Sequence, residues 1–206
     1  GLLSDGGVHS HEEHIIAYAN IFINQGIEVF VHAWSDGRDT PPQSAAKFLN
    51  KFVEKAPKAK LATLSGRYYA MDRTKNWTRT EETCKALIAD KAQYYARSAE
   101  EAIQNAYARG ETDEFIIPTI IVAKGKCNTE GLCIGGEPLT KVKDHDAIVF
   151  FNLRSDRARQ LTKVFVQPDF NKKNPGAFKC AHRLQDLIFV SMTDFGPDLD
   201  SILTAF

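Results

Sequence analysis

Ile27-Glu28-Val29-Phe30-Val31-His32-Ala33-Trp34 is a β-branched and aromatic run, and Ser35-Asp36-Gly37-Arg38-Asp39 ends it directly before Thr40-Pro41-Pro42-Gln43. The run predicts a buried strand, and the charged segment predicts a turn at its carboxyl end. Thr40 as N-cap, Pro41 at the first helical position and Gln43 closing a capping box predict a helix from that point. Ala45, Phe48, Leu49, Phe52 and Val53 give this helix a core face. Upstream, Leu2-Leu3 reads as a strand feeding the turn Ser4-Asp5-Gly6-Gly7. A helix follows, with Ser10 and Glu13 as a capping box, Ile15, Tyr18, Ala19, Phe22 and Ile23 on one face, and Gly26 as its stop. Downstream, Leu61 to Leu64 is a third strand ending at Ser65-Gly66-Arg67. Strand, helix, strand, helix, strand predicts an α/β fold: a mostly parallel sheet with helices on both faces. Ligands of such sheets gather beyond the carboxyl ends of the strands, where all three polar motifs lie.

The remainder is less regular. Residues from Thr80 to Ala96 and from Ala99 to Arg109 read as two helices, the second ended by Gly110. Phe115 to Val122 reads as a strand that Pro118 confines to an edge or a bend. Residues 123–138 are rich in Gly, Lys and Asn and read as a small hairpin or loop excursion. Ala147 to Leu153 is a strongly apolar strand, with Arg154-Ser155-Asp156-Arg157 at its carboxyl end. A helix over 158–166, a loop over 168–182 and a last strand from Leu187 to Met192 complete the reading.

With 26 basic and 26 acidic residues the formal net charge is zero, which excludes a general attraction to nucleic acid or an anionic membrane. An anionic ligand must therefore be held by a local arrangement. No apolar run approaches the roughly 18 residues of a membrane span. Gly1 to Asp5 shows no basic segment followed by an apolar one, so no signal peptide is expected; the opening on an apolar run without Met suggests an excised fragment. Cys84, Cys127, Cys133 and Cys180 form no C-x-x-C pair and no zinc spacing. Reduced thiols and a cytoplasmic location are expected, although a hairpin over 123–138 would bring Cys127 towards Cys133.

Four groups carry candidate chemistry. In Gly6-Gly7-Val8-His9-Ser10-His11-Glu12-Glu13-His14, the spacing of His11 and His14 does not match a helical zinc signature, and both are expected to be exposed. His9, in the turn before the helix, is placed to meet a ligand beside free N–H groups, and a neutral imidazole can move a proton near pH 7. In Asp36-Gly37-Arg38-Asp39, Arg38 offers a fork to a carboxylate or phosphate, and the adjacent Asp39 can exchange a proton with a hydroxyl. Gly66-Arg67-Tyr68-Tyr69-Ala70-Met71-Asp72-Arg73 adds two arginines. Arg154 and Arg157 flank an expected helix start, an unfavourable place for two cations unless an anion sits there. Together these residues predict a site for a small, multiply charged anion with one or two proton-transfer groups.

The segments Leu3-Ser4-Asp5-Gly6-Gly7-Val8-His9-Ser10-His11, Asp36 to Pro42, Gly66 to Arg73 and Phe151-Asn152-Leu153-Arg154-Ser155-Asp156-Arg157-Ala158 together resemble, in order and character, the cofactor-independent (2,3-bisphosphoglycerate-independent) phosphoglycerate mutases. The resemblance covers nearly the whole chain. It implies that residues 1–206 are the inserted substrate-binding domain of such an enzyme, which interconverts 3-phosphoglycerate and 2-phosphoglycerate. It also implies a second, alkaline-phosphatase-like domain outside this chain, with a serine nucleophile and two divalent metals, typically manganese. No metal ligand or cofactor is expected within the chain itself. Substrate roles are implied for His9, Arg38, Asp39, Arg67, Arg73, Arg154 and Arg157, with Asp39 exchanging protons and His9 assisting. Asn152-Leu153-Arg154-Ser155 stands where many members have Asn-Phe-Arg-Pro, and the segment from Cys127 to Gly136 is longer than expected. The alternatives left open are a stand-alone anion-binding module, a metallohydrolase built on the histidines, and a related phosphomutase or phosphatase acting on another phosphate ester.

Overall fold

The computed structural model describes residues 1–89, 91–127, 133–179, 184–199 and 201–206. Its elements are α1 (Glu12–Asn24), β1 (Phe30–Ser35), α2 (Ala45–Lys55), β2 (Lys60–Gly66), the one-turn α3 (Arg67–Ala70), α4 (Trp77–Ile88), β3 (Tyr94–Ala96), α5 (Ala99–Ala108), β4 (Thr119–Cys127), β5 (Cys133–Pro138), β6 (Ala147–Phe150), α6 (Arg159–Val166), α7 (Phe170–Lys173), β7 (Ile188–Ser191) and β8 (Leu203–Thr204). One sheet has the order β1-β2-β4-β3-β5 and the other β6-β7-β8.

The α/β class is as expected, but the first sheet is mixed. β1 and β2 are parallel, as are β3 and β4, whereas β4 runs antiparallel to β2 and to β5. The second sheet is parallel throughout. The reversal arises between β2 and β3. There α4 packs through Trp77 and Cys84 against Val164 and Phe170 of the other half, rather than simply returning the chain along the first sheet. Each sheet has its own core: Val31, Phe48, Phe52, Leu64 and Ile103 in the first, Met71, Leu161, Phe165 and Phe189 in the second. Trp34 meets Phe150 edge-on at 4.8 Å and joins the two.

Several local expectations are corrected. Leu2 forms a single parallel bridge with Trp34 instead of a strand. The Ser10 hydroxyl donates to the Leu2 carbonyl at 2.5 Å, so the cap of α1 is His11, whose Nδ1 accepts from the Glu13 N–H. The helix expected from Thr80 to Ala96 is α4, which stops at Ile88, and Tyr94–Ala96 is a strand. β8 follows the strand taken to be last. The excursion over 123–138 is the β4–β5 hairpin, with 128–132 outside the described residues, and Cys127 and Cys133 form a disulfide rather than two thiols. Cys84 is buried, and Cys180 lies outside the described residues.

α2 begins at Ala45, later than Thr40. The Thr40 hydroxyl instead accepts from the Gly37 N–H, and the helix is capped from a distance by Asp113, whose Oδ2 accepts from the Ser44 and Ala45 N–H groups at 2.8 Å each. Tyr107 donates to the other oxygen of Asp113 at 2.5 Å, and Ser35 to its carbonyl at 2.7 Å. Two glycines let the 3-10 turn Asp113–Phe115 come this close. A Cβ on Gly37, which has φ +67, would stand 2.7 Å from the Glu114 nitrogen, and one on Gly66 would overlap the Glu114 carbonyl. Asp113→Ala is expected to cost about 2–3 kcal/mol, a lost cap plus stranded buried donors. A urea midpoint that falls with an unchanged slope checks this.

Candidate anion-binding site

Each charged motif follows a strand or bridge at its carboxyl end: His9 after the Leu2 bridge, Asp36 to Asp39 after β1, Arg67 after β2, and Arg154 and Arg157 after β6. The Leu153 N–H donates to the His9 carbonyl at 2.7 Å, which ties the first turn to the segment after β6.

Arg67 is the buried centre. Its guanidinium is 3% exposed, and Nη1 donates to Asp36 Oδ1 at 2.6 Å and to Asp39 Oδ2 at 2.5 Å. Asp36 is an organiser that the sequence reading passed over. Its Oδ1 accepts from the N–H groups of Arg38 and Asp39, and its Oδ2 accepts from the Ser4 hydroxyl at 2.7 Å. Burial pushes the Asp36 carboxyl up, but the Asp39 N–H, Ser4 and Arg67 outweigh it and hold it below the usual value. An Asp followed by Gly at the start of a turn is the signal that marks this bonding to the N–H groups two and three residues on.

Adjacent in sequence, Arg38 and Asp39 do not pair. Arg67 takes Asp39, while Arg38 points outward with Nη1 3.6 Å from Glu114 Oε1. His9 is 3% exposed, more deeply set than its turn position implies, and its Nε2 lies 4.0 Å from Asp39 Oδ2. Burial, then the charge of Arg67, lowers its pKa to about 4, so the ring is neutral at physiological pH. His9 Nδ1 has no hydrogen-bond partner among the described residues.

Arg73 and Arg154 both engage Asp156. Arg157 donates to the Met71 carbonyl at 3.2 Å. Its pKa is held below the usual arginine value, first by burial and then by the like charges of Arg73, Arg67 and Arg38. Arg38, Arg67, Arg157 and the unforeseen Arg79 line a cavity of about 270 Å³. Arg79 lies on α4, stacked 3.7 Å over the Tyr68 ring with Nη1 on Asp72. Nothing in helical periodicity singles it out. A larger cleft of about 610 Å³ between β1 and β6 is walled mainly by apolar side chains, and none of these arginines lines it.

Among the described residues no three His, Cys, Asp or Glu side chains are grouped to hold a metal. His11 and His14 stand 6.0 Å apart between ring centroids. No described helix is long and apolar enough to cross a membrane.

Residues 1–197 match the family described as BPG-independent PGAM N-terminus. The chain belongs to this family. It is 41% identical to 2,3-bisphosphoglycerate-independent phosphoglycerate mutase 2 of Methanosarcina barkeri, over 97% of the chain and 38% of the relative. Identity to the Clostridium kluyveri 2,3-bisphosphoglycerate-independent phosphoglycerate mutase is also 41%, over 100% of the chain and 38% of the relative. A crystal structure of Leishmania mexicana phosphoglycerate mutase superposes with TM-score 0.79 at 30% identity, over 95% of this chain and 35% of that one. The chain thus spans 38% of the length of these two curated relatives, so the family's N-terminal part accounts for almost all of it.

Proposed function

We propose that this chain is the inserted substrate-binding domain of a phosphoglycerate mutase and that its cavity holds a phosphoglycerate during exchange between the 3- and 2-isomers. The observation that carries this reading is the convergence of Arg38, Arg67 and Arg157 on one cavity, with the charge of Arg157 disfavoured by burial and then by its fellow cations. Arg38, Arg67 and Arg79 each face a carboxylate, whereas Arg157 donates to the Met71 carbonyl, and a bound anion would relieve its charge. Neutral His9 and the Asp39 carboxylate lie beside Arg67 as candidate proton-transfer groups for a glycerate hydroxyl. In this reading the chain positions the ligand and neutralises its charge. The serine that takes up the phosphoryl group and the two divalent metals, manganese by family resemblance, belong to the rest of a longer cytoplasmic protein. The Leishmania mexicana structure was determined at low cobalt concentration, and cobalt is a divalent metal of the kind this reading assigns to the rest of the protein.

The test is calorimetric titration of 3-phosphoglycerate into the chain, with an isomerisation assay alongside. Binding without turnover is expected, and Arg157→Met is expected to weaken binding by about tenfold or more, the worth of one charged hydrogen bond. Wild-type affinity in Arg157→Met would remove Arg157 from the site. Absence of binding by the folded chain would refute the assignment.

A further inference from the structure

Arg73 arrives from the segment after α3 and Arg154 from the segment after β6, and both close on the carboxylate of Asp156. Arg73 Nη1 donates to Oδ2 at 2.6 Å across 83 residues of sequence, and Arg154 Nη2 donates to the same oxygen at 3.2 Å. Arg154 Nε stands 2.9 Å from Oδ1. Two guanidiniums around one carboxylate is how arginines recognise a carboxylate ligand.

The fit is incomplete. Oδ1 is buried, yet among the described residues it receives no aligned hydrogen bond, and Asp156 itself sits in the 3-10 turn Ser155–Arg157. A buried oxygen left in this state carries a free-energy cost that a better-placed carboxylate would not. Burial pushes the Asp156 carboxyl up, but its bond to Arg73 and the charge of Arg154 bring it below the usual value, so it occupies the seat as an anion.

We propose that Asp156 is an internal occupant of a carboxylate seat formed by Arg73 and Arg154, and that a ligand carboxylate displaces it on binding. The seat itself requires only a small carboxylate; that the natural ligand is a phosphoglycerate rests on the reading above. Asp156 is a positioning residue. It keeps two cations paired near Arg157 when no ligand is present, and it competes with ligands for the same donors. An occupied seat lowers apparent affinity by the fraction of molecules in which it is closed.

The experiment titrates D-glycerate and inorganic phosphate separately into the 206-residue chain and its Asp156→Asn variant. Expected is D-glycerate binding about tenfold tighter in the variant, with phosphate binding changed by less than about twofold. Equal tightening for both ligands would show a general charge effect and overturn the proposal. So would unchanged or weaker D-glycerate binding with an unchanged thermal midpoint. If the variant does not fold, NMR of the wild-type chain decides. The Asp156 side-chain carboxyl carbon and the Arg154 Nε–H should shift together as D-glycerate saturates, and an Asp156 signal that stays put overturns displacement. Displacement by D-glycerate without any binding of 3-phosphoglycerate would leave the seat standing and remove the phosphoglycerate reading.

Discussion

Asp39→Asn in the full-length enzyme is expected to lower kcat by roughly 10²–10⁴-fold, the usual worth of a positioned acid–base group. Asp39 is 20% exposed and hangs at the carboxyl end of β1, with Oδ2 on Arg67. That contact leaves its other oxygen without an ion pair among the described residues. Such an oxygen can take a proton from a hydroxyl as that hydroxyl receives the phosphoryl group, and return it on reversal. Asn keeps the size and one acceptor but cannot exchange the proton. A bracing role for Asp39 predicts a different outcome. Arg67 already has Asp36 as a second partner at 2.6 Å, so losing the charge at Asp39 should leave the guanidinium in place. Substrate binding, measured directly, should therefore change much less than kcat. An unchanged kcat, or a loss confined to binding, excludes proton transfer by Asp39.

Removing the centre of the same cluster should act on stability. Arg67→Met leaves Asp36, 1% exposed, and Asp39 facing each other without a cation. Breaking a buried ion pair from one side costs about 3–5 kcal/mol, a fall in thermal midpoint of about 10 °C for a chain of this size. The loss should depend on pH. Asp36 is held below its ordinary 3.8, so its ionised contacts contribute stability above that pH, which is lost as pH falls through the lower folded value. In Arg67→Met the Asp36 carboxylate, having lost Arg67, takes up a proton more readily, so the gap to wild type should be widest at neutral pH and narrow towards about pH 4. Urea unfolding of both proteins at the two pH values measures it. An equal gap at both would mean that Arg67 contributes by packing alone.

The motifs were legible because each combines a strand end with residue types that anions require, and the structure does bring Arg38, Arg67 and Arg157 to one cavity. Their pairing was not legible. Arg38 and Asp39 are neighbours in sequence, but the turn sends the Arg38 guanidinium outward, so the partner of Asp39 comes 28 residues later. The role of Asp156 was not legible either, because only the arrival of Arg73, 83 residues earlier in the chain, makes it a bridge. The βαβ pattern conveyed the α/β class, but not the direction of β4. Helical periodicity shows that α4 has a buried face without showing that Val164 and Phe170 are what it covers.

The remote cap of α2 has a consequence for synthesis. The Ser44 and Ala45 amides find their acceptor 69 and 68 residues further along the chain. While the ribosome is still making that stretch, the leading turn of α2 has only water to bond. Its apolar face, Phe48, Leu49 and Phe52, can already meet Ile15, Val31 and Leu64, but its cover is complete only with Ile103 of α5, which is made just before Asp113. The start of α2 therefore lacks its cap until residue 113 emerges. A pause in translation before that point would prolong exposure of this face to chaperones and proteases, whereas a pause after it would find the helix already closed.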